Sequence, residues 1–247
     1  MSIGARDKDG SGPVVNGAPD DLRIGLLQIE HNLNEGHYRP GPWERYIREL
    51  KRRPAPVRAA LCADVNRVSR KLHLRTSRRT IGVRAGVTIE LFALALGGVL
   101  LWASVRELSI VLALAGALLW IMTLQPLIKI AAAAMLGVGY EYAYLLRGEP
   151  RFKMQFGAYV ARRRLSRVVL HLCGTIGSPI GAWAAARIVH RVMPGTAEVV
   201  MAMFWIVVAV NVLEFAAGVA GIRHIGRIRT IESSGGAAGL EIYESFA

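Results

Sequence analysis

Residues 87–127 read VTIELFALALGGVLLWASVRELSIVLALAGALLWIMTLQPL, two apolar stretches parted only by Arg106 and Glu107. A helix rises about 1.5 Å per residue, so each stretch is long enough to cross about 30 Å of hydrocarbon. Together they are too long for a single crossing. With so short a link they must fold back as an antiparallel hairpin, with spans at 87–105 and 108–127.

Two more stretches of the same kind follow. VVLHLCGTIGSPIGAWAAARIV covers 168–189 and VVMAMFWIVVAVNVLEFAAGVAGI covers 199–222, with HRVMPGTAE between them. The chain has 247 residues, 53% of them hydrophobic, and a mean hydropathy of +0.33. A clearly positive average indicates that part of the chain is buried in lipid. The expected fold is all-α: a polytopic integral membrane helix bundle of about four transmembrane helices, covering 84–230, behind a short helical basic region at 22–83.

Residues 128–146, IKIAAAAMLGVGYEYAYLL, are apolar but begin beside Lys129 and end in a tyrosine cluster. Tyrosines favour the bilayer interface. The stretch is read as a continuation of the second helix past a kink at Pro126, out of or along the membrane, and not as a fifth crossing.

The charge distribution supports that choice. The net charge is +13, and the cations crowd between the apolar stretches. Lys and Arg collect on the cytoplasmic flanks of spans. The segment before span one, the loop 147–167 with seven cations, and the residues after span four (Arg223, Arg227, Arg229) are the most basic flanks. Four crossings put all three on one side. A fifth would move the seven-cation loop to the other. The expected location is the plasma membrane, multi-pass, with both termini cytoplasmic.

The N-terminal third is read in pieces. Residues 1–21 are rich in Gly, Pro, Asp and Ser and lack the apolar core of a signal peptide, so a disordered tail and uncleaved insertion are expected. Asp20 or Asp21 caps a short helix whose Leu22, Leu26, Ile29 and Leu33 share one face. WERYIRELKRR at 43–53 is a second, carrying Trp43, Tyr46 and Leu50 on one side. After Pro54 and Pro56, Val57, Leu61, Val65, Val68 and Leu72 form a stripe at helical spacing, with Arg58, Arg67, Arg70, Lys71, Arg75, Arg78 and Arg79 opposite. That helix lies on an anionic bilayer or packs on the protein's own loops; the sequence leaves both open. No nucleic-acid fold signature surrounds these charges, so nucleic acid is not an expected partner. Residues 231–247 are Gly-rich and then mildly acidic, and a flexible tail is expected. Cys62 and Cys173 form no CxxC pair and read as packing residues.

Ionisable and polar groups at membrane depth are the natural functional candidates. They are Glu90, His171, Ser178, Asn211 and Glu214, with Glu141 near the second helix. Asn211 and Glu214, three residues apart, share a helical face. His171, Thr175 and Ser178 form a strip along span three. In the same span Gly174, Gly177, Ser178 and Gly181 are spaced for close helix packing. Pro179 frees a carbonyl near Thr175. Arg151, Lys153, Arg162, Arg163 and Arg164 are candidates for holding lipid phosphates.

Enzyme templates fail. HExxH, the P-loop and GxGxxG are all missing, and no Asp falls in the spans. His171 and Ser178 are seven residues apart on one helix, too far for a direct hydrogen bond. No metal site and no cofactor are expected. The first reading is a non-enzymatic membrane subunit or partner-binding protein. Its expected partners are membrane lipids, including anionic headgroups, and other membrane subunits or a second copy. The alternatives are a transporter of lipid or small solute, and a lipid-modifying enzyme using His171 with Glu214 or Glu141.

Overall fold

The computed structural model describes residues 19–75, 79–146, 149–222, 224–225, 228–229, 233–244 and 246. Residues 1–18 of the tail expected at 1–21 and the flank cations Arg78, Arg147, Arg223 and Arg227 lie outside these residues, while 19–21 open the first helix. Four helices are long and apolar enough to cross a membrane: α5 (Val83–Glu107), α6 (Ile110–Met135), α8 (Arg164–His190) and α9 (Pro194–Val219). The fold is all-α, and the four helices fit an integral, multi-pass membrane protein. Before them come α1 (Pro19–Asn34), α2 (Pro42–Arg52), α3 (Ala55–Ala60), α4 (Cys62–Leu74) and the short strand β1 (Thr80–Ile81). β2 (Tyr140–Leu146), β3 (Glu149–Met154) and α7 (Phe156–Ala161) separate α6 from α8. A two-stranded hairpin, β4 (His224–Ile225) and β5 (Ile228–Arg229), and α10 (Ser234–Tyr243) end the described chain.

α5 and α6 form the hairpin that the sequence demands. Leu108 turns the chain with φ 52°, a left-handed conformation, and the Ser109 hydroxyl accepts from Leu112 N–H to start α6. The pair is closely packed because Gly97 and Gly116 oppose each other: a Cβ on Gly116 would lie 2.8 Å from the Gly97 carbonyl. The Trp120 indole donates to the Leu94 carbonyl at 3.0 Å and fixes the register. α8 packs antiparallel on α6 through Gly177 and Gly181, whose added Cβ atoms would meet the backbone of Gln125 and Trp120. Half of its most apolar window is buried inside the protein, against 6% for α9, so α8 is the central helix and α9 is mostly left to lipid.

Both short links, at 108–109 and 191–193, lie at one end of the bundle. The other end holds the N-terminal helices. Leu22, Leu26, Ile29 and Leu33 of α1, Ile47 and Leu50 of α2, and Val65 and Val68 of α4 share one core with Ala132 and Ala133 of α6, Tyr159 and Val160 of α7, and Leu170 of α8. The apolar stripe at 57–72 therefore packs on the protein itself, and it is cut in two at Leu61, between α3 and α4. α1 begins at Pro19, so Asp20 and Asp21 lie in its first turn and do not cap it.

Three segments depart from the sequence reading. α6 runs through Pro126 to Met135, as expected of a continued helix, but the tyrosines beyond it form strand β2. The loop 147–167 holds β3 and α7. β2 pairs antiparallel with β3 and with β1, and the sheet lies between α4 and α5. On one face Tyr142 Oη meets His73 Nδ1 at 2.9 Å and Lys153 donates to the Ser69 hydroxyl at 2.7 Å. On the other, Ala143 and Phe152 close over Gly86. A residue-by-residue alternation of this kind is a strand period, masked in the sequence by the apolar run that leads into it.

The third departure is the expected flexible tail at 231–247. Residues 234–243 instead form α10, every residue from Ser234 to Glu241 buried. The Ser233 hydroxyl caps it by accepting from Gly236 N–H. Small residues explain its place. A Cβ on Gly235 would meet the Asn211 carbonyl, and one on Gly239 would fall on the Phe215 carbonyl, so the two backbones touch along α9. At its start Ser234 Oγ accepts from Lys129 and lies against Gly174. Gly174 is ten residues into α8, roughly 15 Å below its first turn. α10 is thus a half-length helix that begins at membrane depth and returns to the end carrying the N-terminal helices.

Candidate functional site

The C-terminal end of α10 delivers Glu241 into a buried cluster. Glu241 is 4% exposed and Arg167, in the first turn of α8, is 3% exposed. Arg167 Nε donates to Glu241 Oε2 at 2.9 Å. Lys51, near the end of α2, donates to Oε1 at 2.5 Å and to Glu244 Oε2 at 2.8 Å. The Tyr159 hydroxyl of α7 donates to Oε1 at 2.6 Å. Arg167 Nη1 also donates to the Arg162 carbonyl at 2.8 Å, and Arg58 Nη1 reaches the same carbonyl at 3.2 Å. One carboxylate therefore ties α2, α7 and α8 to α10.

Burial by itself would raise the pKa of Glu241. The charges of Lys51 and Arg167, with the hydrogen bonds from Lys51 and Tyr159, outweigh it and hold the carboxyl down at about 2. The Tyr159 phenol is pushed well above its ordinary range by burial and by Glu241, so it remains a donor. Its one proton goes to Glu241, so its oxygen accepts from His171 Nε2 at 3.0 Å. His171 is then the Nε2–H tautomer, and its Nδ1 has no partner.

Beside this cluster opens a cavity of about 890 Å³. Its wall is strongly cationic: Arg48, Lys51, Arg52, Arg53 and Arg58 from the α2–α3 side, and Arg163, Arg164 and Arg167 from the start of α8. Among the described residues the acidic groups on it are Glu241, held by Lys51 and Arg167, and Glu244, held by Lys51. Arg53 pairs with Glu49 at 2.7 Å. Gly221, just past α9, and the aromatic Tyr243 and Phe246 complete the rim.

The candidates named from sequence are scattered. Ser178 Oγ donates to the Ile121 carbonyl at 2.8 Å, with Gln125 Oε1 3.3 Å away, and so joins α8 to α6. Asn211 Nδ2 donates to the Thr175 carbonyl at 3.2 Å. Pro179 has no N–H to give that carbonyl, so the α9 amide replaces the missing helical bond. Glu214 faces the first turn of α10, its Cβ 3.6 Å from where a Gly235 Cβ would stand. Glu90 is 2% exposed, and its Oε1 has no hydrogen-bond partner. It lies on the α5 face that carries Gly86, packed against Ala143 and Phe152 of the sheet, and Gly97, packed against Gly116 and Trp120 of α6. Glu141 lies on β2, and burial raises its carboxyl pKa, opposed by Lys153 and Arg70. None of Glu90, Glu141, His171, Ser178, Asn211 and Glu214 lines the cavity.

Of the phosphate candidates, Arg163 and Arg164 line it. Arg162 is turned to the Gly137 carbonyl at 2.8 Å, Lys153 to Ser69, and Arg151 pairs opposite Tyr144 in the sheet. Sequence reading missed Arg48, Lys51, Arg52, Arg58, Tyr159, Arg167 and Glu241. One signal for the last was available: Gly235 and Gly239 form a GxxxG after a serine cap, the mark of a packed helix. Among the described residues no group of three or more His, Cys, Asp or Glu side chains is placed to hold a metal ion. Comparison of the chain with protein-family models, curated proteins and solved structures finds no match.

Proposed function

We propose that this chain is a non-enzymatic membrane protein that works by binding, its bundle serving as a rigid support for the binding end built from α2, α3, the start of α8 and α10. The observation that carries this reading is how the polar groups at membrane depth are used. Ser178 and Asn211 each hold one helix to another through a backbone carbonyl, and Glu90 is buried on a different helix, α5. A transport path or an acid–base pair needs such groups to converge on a shared space. The cavity beside Glu241 lies elsewhere, at the cationic end, where the side chains available are arginines suited to holding an anion. By the positive-inside rule that end faces the cytoplasm of a plasma membrane, with both termini on the same side.

The test compares cells overproducing the wild-type chain with cells overproducing Ser178→Ala/Asn211→Leu/Glu214→Gln, by quantitative profiling of lipids and small solutes. Unchanged profiles in both, at equal expression, support binding without turnover. A profile altered by the wild type and restored in the triple variant would establish transport or catalysis through those residues instead.

A further inference from the structure

We infer that the cationic cavity is a seat for the phosphate headgroup of an anionic membrane lipid. The inference rests on the binding reading above and names its ligand. Ordinary positive flanking needs only exposed arginines on a surface. Here the charges are gathered around a concavity, and part of its wall is withdrawn from water. Arg167 is 3% exposed and Arg58 9%. The Arg58 Nε has no partner. Arg48, Arg52, Arg163 and Arg164 have no carboxylate within 4 Å among the described residues, and the two carboxylates on the wall are occupied by Lys51 and Arg167. The cavity therefore carries uncompensated positive charge beside guanidinium forks shaped for phosphate oxygens.

Its place in the fold selects a lipid over a soluble anion. The cavity is lined by the first residues of α8 and by Gly221, two residues past the end of α9. Those are the points where two membrane helices leave hydrocarbon, which is the level of the headgroups. Leu165 beside it is 73% exposed, and Phe246 on the rim 85% exposed. Apolar side chains standing free beside a cationic hollow suit a ligand with acyl chains below its phosphate. Nucleic acid shares the phosphate chemistry but gains nothing from this depth.

The test uses the full chain reconstituted in phosphatidylcholine bilayers with and without phosphatidylglycerol, and reads retained lipid by native mass spectrometry after transfer to detergent. The wild type is expected to retain phosphatidylglycerol in preference to phosphatidylcholine. Arg163→Gln/Arg164→Gln, both exposed positions outside the Glu241 cluster, should lower that retention about thirtyfold, from a loss of about 1 kcal/mol for each of the two arginines near an anionic surface, with unchanged thermal unfolding. Arg75→Gln/Arg79→Gln removes as many exposed charges from outside the cavity and should change it by less than about twofold. An equal loss in both double variants would reduce the cavity to general surface attraction and overturn the inference. So would retention of neither lipid in preference, or displacement by excess inorganic phosphate in a variant-sensitive way without any lipid preference, which would assign the site to a soluble phosphate. None of these outcomes alters the lipid and solute profiles, so the binding reading is judged separately.

Discussion

Glu241 and Glu90 are buried almost equally, at 4% and 2% exposure, but in opposite company. Glu241 receives Lys51, Tyr159 and Arg167 from three separate elements. Glu90, buried on α5, has one oxygen with no partner. The difference teaches what a buried carboxylate is for in each region. At the cationic end it is the anchor of a tertiary junction, because its charge adds polar links from α10 to α2, α7 and α8, segments that already share one hydrophobic core. On α5 it anchors no such junction among the described residues, and α5 meets α6 by close packing at Gly97 and Gly116.

The sharpest way to break this comparison is to remove Glu241. Glu241→Ala leaves Lys51 and Arg167 buried without their shared counter-charge, and a loss of about 3–5 kcal/mol is expected. Thermal unfolding in detergent should show it, with early proteolysis of α1–α4. The pH dependence carries a sign. The carboxyl pKa is depressed in the folded protein to about 2 from an ordinary 4.5. Its contribution is therefore complete above about pH 4.5 and is lost as the pH falls towards 2. The wild type should lose stability across that window. Glu241→Gln should lose less, since only the component left by other carboxylates such as Glu30 remains. Equal acid sensitivity in both proteins would deny Glu241 its role.

Next in size is Gly239→Leu. The added side chain falls on the Phe215 carbonyl, which cannot yield, so α10 must lift from α9. An overpacking cost of about 1–3 kcal/mol is expected, and Glu241 should move with the helix. Cross-linking of cysteines placed at positions 51 and 244 reads this directly: efficient in the wild-type background, weak with Gly239→Leu.

A smaller effect is expected from Asn211→Leu, which strands the Thr175 carbonyl that Pro179 leaves open. Side-chain hydrogen bonds between membrane helices are worth about 0.6–1.7 kcal/mol, and a fall of that order in unfolding free energy checks it. Smallest of all is Glu90→Gln. The substitution keeps the shape, and Glu90 makes no ion pair among the described residues, so a change under about 1 kcal/mol is expected. If Glu90→Gln were as damaging as Glu241→Gln, the contrast between the two carboxylates would not hold.

Parts of this arrangement were legible before any coordinates. The α1 stripe of Leu22, Leu26, Ile29 and Leu33 is buried as its spacing implied. Gly177 and Gly181 meet a neighbouring helix, and the carbonyl that Pro179 frees was identifiable from one residue. Other parts were read wrongly for a common reason. Tyr140–Leu146 and Ser234–Tyr243 are short, and their surroundings decide them. A run of tyrosines suits an interface or a strand. A run of glycine and alanine suits a loop or a tightly packed helix. Only the neighbour, α4 and α5 for the first and α9 for the second, settles the matter.

The sequence by itself determined four membrane-length helices, the tight α5–α6 hairpin and the crowding of arginines between the spans. These follow from sums over adjacent residues: hydrocarbon transfer is additive along a stretch, and charge is excluded from it. The tertiary structure alone decided that α10 enters the bundle, that positions 51, 159, 167 and 241 meet, and that arginines from α2, α3 and α8 surround one hollow. Such encounters depend on which faces of distant helices come together, and no local sum along the chain contains that information.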